Sequence, residues 1–350
     1  PKAGEDNSLI SVRIFDTQYD RHFVFDVGNN PDIYIPRIMW SKRRDELIVF
    51  KMNRLQNKLE LLSGTFSMDT PNNIGIKTKP IYTENSTTYI DIHDNTSFIN
   101  ENEFIWTSEK DGYNHIYLIN YANGTEKQLT SGDWDVTEVY GYTSQSKKIF
   151  FQAAKSHPTK REIYALYTKN NKIELLTEKS GTNEANFSKT FNYFINTHSS
   201  ADTPFEITLH NQKGKLVKTL EKNEVLKNKL LEFNLTNKEF FTIPNEEGIL
   251  LNAWMIKPKL LDTLKKHPLL MFVYGGPGIN TVNDAWSWNN YFWFQYLAQN
   301  GFIVVSVDAR GTGYRGKDFK HATYKQLGKY ETEDQIAAAK YLANKPYIDE

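Results

Sequence analysis

The stretch best suited to chemistry is a tyrosine that opens a glycine-rich turn, Tyr274-Gly275-Gly276-Pro277-Gly278. Glycine and proline let the backbone bend sharply, and glycine lets backbone N–H groups approach a ligand closely. A phenol at such a turn could donate its proton to an oxyanion that develops during a reaction. The same residues also fit a strand that ends in a tight turn, with Tyr274 serving only as packing. The turn by itself leaves both interpretations open.

Two apolar runs predict the strands that would position this turn. The run 269–273 leads into it and has the composition of a fully buried strand in a sheet covered on both faces. The run 301–308 is a second buried strand, followed by another glycine-rich turn at 309–316. A helix is predicted over 284–299, between the strands, and a second over 330–345, with apolar positions 336, 339, 342 and 343 at helical spacing. Strand, helix, strand, helix is the order of a doubly wound α/β sheet.

The first 235 residues have a different pattern, with short alternating runs and many turn residues. Three units with similar strands begin near 104, 148 and 193, a spacing of about 45 residues that is typical of four-stranded propeller blades. A further unit opens at 37–41. The predicted strands are 9–16, 23–27, 46–52, 103–108, 115–121, 148–153, 162–168, 193–197 and 205–210. Residues 240–244 and 249–256 then predict an antiparallel hairpin at the start of the second part.

The region 269–350 resembles the S9 prolyl oligopeptidase family of serine peptidases, and within it the dipeptidyl peptidase IV group. The segments that carry the resemblance are Val273-Tyr274-Gly275-Gly276-Pro277, Asp308-Ala309-Arg310-Gly311-Thr312-Gly313-Tyr314-Arg315-Gly316 and Leu327-Gly328-Lys329-Tyr330-Glu331-Thr332-Glu333-Asp334-Gln335. The N-terminal part is similar to the same group over Pro1-Lys2-Ala3-Gly4, 108–117 and 130–136. The order and spacing of the last two C-terminal segments make this match specific.

The resemblance implies a partial β-propeller, its C-terminal blades over 1–235, followed by the N-terminal half of an α/β-hydrolase domain over 236–350. It implies a serine exopeptidase that releases N-terminal dipeptides with proline or alanine in the second position. In such an enzyme the Tyr274 hydroxyl would donate to the oxyanion of the tetrahedral intermediate, beside a backbone N–H. Tyr274 is therefore the candidate catalytic residue.

The 350 residues contain no Gly-x-Ser-x-Gly elbow. In the family the nucleophile would lie about ten residues past Glu350, and the acid and histidine of the triad would follow it. We therefore expect this chain to be an internal fragment, inactive alone, whose upstream part holds the glutamates that bind the amino terminus of the peptide. Glu246-Glu247 is predicted to be a solvated turn, and His93 and His115 are predicted to be packed or exposed polar residues.

Composition limits the other functions. The chain has 42 basic residues (Lys and Arg) and 42 acidic residues (Asp and Glu), so its formal net charge is zero. This charge gives no reason to expect that the protein binds nucleic acid. No metal-ligand spacing such as His-Glu-x-x-His occurs, and we expect a peptide substrate, no cofactor and no metal. A full-length homodimer is implied by the resemblance alone. The absence of cysteine argues against a cysteine-rich animal ectodomain and is compatible with either the cytoplasm or a bacterial envelope. The localisation stays open between these two, with the periplasm or cell envelope favoured. Two alternatives stay open: a non-catalytic homologue that acts as an interaction module, and another S9 oligopeptidase or acylaminoacyl peptidase.

Overall fold

The computed structural model describes residues 4–66 and 75–349, and it divides into two compact units. One unit contains the chain up to Thr107 together with Ile116–Leu129, and the other contains Ser108–His115 and the chain from Thr130 onward. Among the described residues, no helix is both long and apolar enough to cross a membrane.

The described residues of the first unit form three β-sheets. Strands β1, β2 and β6 form one sheet, β3, β4, β5 and β7 the second, and β8 to β11 the third. The strands are β1 (Val12–Asp16), β2 (Arg21–Phe25), β3 (Ile33–Trp40), β4 (Glu46–Asn53), β5 (Lys58–Thr65), β6 (Gly75–Ile76), β7 (Thr78–Asn85), β8 (Ser97–Phe98), β9 (Glu103–Ser108), β10 (His115–Asn120) and β11 (Thr125–Gln128). Large side chains such as Phe50, Leu61, Phe104 and Trp106 fill the space between the second and third sheets.

The second unit begins with two antiparallel sheets of four strands, followed by a short helix. Their strands are joined in sequence order, which is the meander of a propeller blade. The elements are β12 (Val136–Thr143), β13 (Lys148–Ala153), β14 (Glu162–Tyr167), β15 (Lys172–Leu175), β16 (Thr182–Phe187), β17 (Tyr193–Ser200), β18 (Thr203–Asn211), β19 (Leu216–Glu221) and α1 (Glu224–Leu231).

The repeat found in the sequence corresponds to one strand of each blade. β9, β13 and β17 are the second strands of three successive sheets, and they begin at the predicted positions. The inner strands β9 and β13 are buried along almost their whole length, because both of their neighbours are strands and their side chains lie between sheets. The outer strands β11, β15 and β19 are largely exposed and were not predicted.

The rest of the chain forms a mixed sheet with helices on both faces. The elements are β20 (Glu239–Pro244), β21 (Leu250–Ile256), β22 (Leu269–Phe272), α2 (Trp288–Gln299), β23 (Ile303–Val307), α3 (Lys317–His321) and α4 (Tyr330–Ala343). The strand order is β20-β21-β23-β22, with β22 and β23 parallel and the other pairs antiparallel. The predicted hairpin at 240–256 is confirmed. The domain boundary near residue 235 stays a prediction.

Alternate residues of the central strands pack against different helices. On one face, Ala253 and Val305 lie in a cluster with Ala338 and Leu342 of α4. On the other face, Trp254 and Val304 pack with residues of α2 such as Phe294 and Leu297. This period-2 division between two faces is what a doubly wound sheet requires.

Three sequence predictions are wrong in detail. The strand β22 is half-buried along its whole length, because it is the edge strand of the described sheet and has β23 on one side only. The helix α2 begins four residues later than predicted, since Asp284 bonds to residues of the preceding blades. In α4, Ile336 is half-exposed while Asp334 is buried, because the helix turns this carboxylate toward Arg310.

Candidate active site

The predicted tyrosine turn follows directly after β22. Gly275 and Gly278 adopt φ values of 73° and 75°, which L side chains rarely take. At Gly276 an added Cβ would lie 2.4 Å from Cε1 of Tyr274, so the ring covers the backbone of that glycine. Tyr274 itself is 61 % exposed. Its phenol therefore lies at the surface of the described residues and is not packed in a core.

Asp308, at the end of β23, holds the loop that follows the turn. Its Oδ1 accepts hydrogen bonds from the Thr281 N–H at 2.8 Å and from the Thr281 hydroxyl at 3.2 Å. The Val282 N–H lies 3.3 Å from both carboxylate oxygens. The hydroxyl of Ser306 donates to the Phe272 carbonyl at 2.8 Å, which ties the end of β22 to β23. These bonds fix the backbone on both sides of the Tyr274 turn.

Burial raises the pKa of the Asp308 carboxyl from 3.8 to about 6, although the N–H donors of Thr281 and Val282 oppose the shift. Between these two pH values the folded protein binds a proton at Asp308 that the unfolded chain has released. Stability decreases with rising pH wherever the folded state binds more protons. The contribution of Asp308 to the free energy of unfolding therefore falls as the pH rises through this window.

We predict that Asp308→Asn removes this dependence. The free energy of unfolding of the wild type, minus that of the variant, should fall from pH 3.8 to about 6 and stay level above it. Urea unfolding at several pH values measures this difference. The same substitution at Asp20, an exposed turn residue, is the control with which the difference for Asp308→Asn is compared. A difference that rises with pH between these limits would contradict the assignment.

A buried ion pair connects the end of β23 to α4. The Arg310 Nε lies 3.1 Å from both oxygens of Asp334, and its Nη2 donates to Oδ1 at 2.9 Å. The backbone N–H of Arg310 donates to Oδ2 at 2.7 Å, and the Asn245 amide donates to Oδ1 at 2.9 Å. Arg310 also pairs with the more exposed Glu247 at 2.7 Å. The carboxylate therefore accepts from side chains and backbone together, as a buried charge needs.

The glycines of the second turn allow close contact with the first. The Gly278 N–H donates to the Gly311 carbonyl at 2.7 Å. An added Cβ at Gly313 would lie 2.6 Å from the Gly278 carbonyl oxygen, a distance that no side chain tolerates. Gly316 donates its N–H to Asp135, which follows the hairpin of the preceding blade. The two turns therefore form one packed loop cluster at the carboxyl ends of β22 and β23.

These loops and α4 line a small open cleft with a cavity volume of about 10 Å³. Tyr274 lies in its wall together with Asp308, Arg310, Thr312 and Gln335. Among the described residues that line it there is no histidine or cysteine, and the Asp308 carboxylate is occupied by the N–H donors described above. The lining suits the binding of a polar, hydrogen-bonding group more than a transition metal.

The histidines and glutamates considered in the sequence analysis make structural contacts or lie in an exposed turn. His115 is buried and contacts Thr130 and the Gly132 carbonyl, and His93 contacts the Thr107 carbonyl. Glu246 is 77 % exposed in a turn, as predicted. Glu247 is in the same turn but pairs with Arg310, which the sequence did not indicate.

Two models of known families match the chain. The model of the dipeptidyl peptidase IV (DPP IV) N-terminal region matches residues 1–205, and that of the prolyl oligopeptidase family matches 287–350. This chain belongs to the dipeptidyl peptidase IV family. Its fold is accordingly a partial β-propeller followed by the start of an α/β-hydrolase domain.

Individual relatives match the chain along its whole length. Dipeptidyl peptidase 4 of Trichophyton equinum is 28 % identical, and a probable dipeptidyl-aminopeptidase B of Arthroderma benhamiae is 30 % identical. The chain covers 46 % and 40 % of these proteins, so it spans about half the length of the curated relatives it matches.

Solved structures agree with this result. The crystal structure of Porphyromonas gingivalis dipeptidyl peptidase 4 is 37 % identical with a TM-score of 0.92, over all of this chain and 48 % of that one. A putative dipeptidyl aminopeptidase IV from Bacteroides ovatus is 28 % identical with a TM-score of 0.88, over all of this chain and 51 % of that one.

Proposed function

We propose that the whole protein is a serine exopeptidase that releases N-terminal dipeptides with proline or alanine in the second position. The reaction would pass through an acyl-enzyme, and the Tyr274 hydroxyl would stabilise the oxyanion that forms in each half of the reaction. The observation that carries the proposal is the exposed phenol of Tyr274, placed at the carboxyl end of a parallel strand beside an open cleft.

The position of this phenol fits the chemistry. In doubly wound sheets, ligands bind outside the carboxyl ends of the strands. A serine that attacks a peptide carbonyl converts its oxygen to an oxyanion, and the phenol O–H can donate a hydrogen bond to that charge without giving up its proton. Asp308 and the Gly278–Gly311 hydrogen bond hold the turn, so the donor needs little reorganisation when the charge develops.

Among the described residues, one edge of β22 has no strand paired along it, and the contacts at the start of that edge support the same proposal. The His267 N–H donates to the Tyr347 carbonyl at 2.9 Å, and the Asp349 N–H donates to the His267 carbonyl at 2.9 Å. The bridge between His267 and Ile348 is parallel. A strand that continued in this direction along β22 would have its carboxyl end beside the Tyr274 turn. That is where a nucleophile must lie to share an oxyanion hole with Tyr274.

The test is an assay of the whole protein on matched peptides. We expect release of dipeptides from substrates with proline or alanine in the second position and a free amino terminus. The same substrates with an acetylated amino terminus should not be cleaved, because an exopeptidase of this kind needs the free amine.

The remaining outcomes separate the alternatives. Cleavage of the acetylated peptides would indicate an oligopeptidase or acylaminoacyl peptidase. No cleavage of any peptide by folded protein would favour a non-catalytic interaction module. Either result would overturn the proposal.

A further inference from the structure

A buried arginine of the preceding blades lies against the second glycine-rich turn. Arg161, just before β14, is 8 % exposed. Its guanidinium carbon lies 3.7 Å from the ring centroid of Tyr314, within the range of a cation–π contact. The two residues belong to the same compact unit.

The guanidinium also hydrogen-bonds the Tyr314 side chain and two backbone carbonyl oxygens. Nη1 donates to the Pro158 carbonyl at 2.9 Å and to the Lys160 carbonyl at 2.6 Å. Burial lowers the pKa of Arg161, while Tyr314 and the charges of Asp135 and Asp308 oppose that shift. A buried guanidinium is costly unless its surroundings hold it, so the stack on Tyr314 is a principal stabilising contact of this side chain.

The backbone of Tyr314 is strained. Its φ is 69°, in the left-handed region that a residue with a bulky side chain rarely adopts. Such a conformation is costly and persists only where the surroundings hold it. The ring of Tyr314 is held by Arg161, and Gly316, two residues on, is held by Asp135.

The strained residue directly follows Gly313, which contacts the Tyr274 turn. The Gly313 backbone lies so close to the Gly278 carbonyl that a methyl group would clash at 2.6 Å. The Gly278 N–H donates to the Gly311 carbonyl. A change of backbone at Tyr314 therefore moves the residues against which the Tyr274 turn is packed.

From these contacts we propose that Arg161 is a positioning residue: its stack on Tyr314 holds the 311–314 turn in the geometry that places Tyr274 as oxyanion donor. The inference rests on the proposed function for its effect on catalysis. The effect on the turn itself does not depend on that function. Arg161 touches no reacting atom and acts only through Tyr314.

The test combines kinetics with hydrogen exchange in the whole protein. Arg161→Lys keeps a positive charge but loses the planar stack, and Tyr314→Leu loses the ring, whereas Tyr314→Phe keeps it. We expect the first two to lower kcat about 10- to 100-fold with KM changed less than about threefold, since small misplacements of catalytic groups act mainly on kcat. Tyr314→Phe keeps the ring but loses the hydrogen bond between the Tyr314 hydroxyl and Arg161, so its kcat should lie between those of the wild type and Tyr314→Leu. The double variant of Arg161→Lys and Tyr314→Leu should have a kcat no lower than that of the less active single variant, because the two substitutions remove the same contact.

Hydrogen exchange measures the effect of the stack on the turn without reference to catalysis. The Gly278 N–H should exchange at least about tenfold faster in Arg161→Lys than in the wild type, because its acceptor lies in the turn that the stack holds. Arg43→Lys is the matched control, since Arg43 stacks on Tyr121 at 4.4 Å in the other unit, and it should leave this exchange rate unchanged.

The outcomes distinguish this inference from the proposed function. Faster exchange without any peptidase activity in the wild type would keep the positioning role and overturn only the enzyme assignment. Unchanged exchange at Gly278 in both Arg161→Lys and Tyr314→Leu would overturn the positioning role, whatever the activity. Fully additive kinetic losses in the double variant would also overturn it.

Discussion

Replacing Tyr274 with phenylalanine in the whole protein is expected to lower kcat for dipeptide release about 100- to 1,000-fold. The substitution removes one hydroxyl and leaves the ring that covers Gly276. Loss of one oxyanion donor typically raises the barrier by about 3–4 kcal/mol, because the hydrogen bond is stronger to the developing charge than to the neutral carbonyl. KM should change less than about threefold, since the missing bond acts in the transition state.

The control for this variant is Tyr296→Phe. Tyr296 lies on α2, is 58 % exposed and does not line the cleft. Removing its hydroxyl should leave kcat and the thermal midpoint unchanged. Tyr274→Phe should also keep the wild-type thermal midpoint, because its hydroxyl has no role in the core. A Tyr274→Phe enzyme with wild-type kcat would show that the phenol is not the oxyanion donor.

Replacing Asp334 with asparagine is expected to destabilise the protein by about 3 kcal/mol or more. The change leaves the buried guanidinium of Arg310 without its bidentate partner, and breaking a buried pair on one side typically costs about 3–5 kcal/mol. The side-chain exposures of Arg310 and Asp334 are 8 % and 1 %. Urea unfolding of the whole protein measures the loss.

Two further variants serve as controls for the Asp334→Asn prediction. Lys340→Ala breaks the surface pair with Glu246, whose side chains are 68 % and 77 % exposed, and should cost no more than about 1 kcal/mol. The double variant of Arg310→Met and Asp334→Leu should recover part of the Asp334→Asn loss, because it removes the buried guanidinium together with its buried partner. An Asp334→Asn protein as stable as the Lys340→Ala protein would contradict a stabilising role for the buried pair.

The structure confirms the inner strands that the sequence predicts, but it also contains outer strands that the sequence does not predict. The inner strands β9, β13 and β17 were predicted at their first residue, because strands paired on both sides carry a strong local pattern of apolar residues. The outer strand β19 is largely exposed and carries no such pattern, so local sequence does not distinguish it from a loop.

The helix α4 shows why the buried face could not be predicted from periodicity alone. Ile336 has the apolar character of a core position, yet it is 49 % exposed, and the carboxylate of Asp334 is fully buried. The arginine that reverses this order comes 24 residues earlier and reaches the helix only when the sheet has formed. The residues of the helix itself therefore do not indicate that Asp334 has a buried partner.

By itself the sequence determined the family and the order of blades and hydrolase elements, and it predicted the tyrosine turn as the candidate site. These features depend on residues close together in the chain, since turns, alternation and motif spacing are local properties. Only the tertiary structure decided what holds that turn. Asp135 contacts Gly316 across 181 residues, and Arg161 stacks on a strained Tyr314. Such contacts depend on which elements the fold brings together, and no spacing in the sequence encodes them.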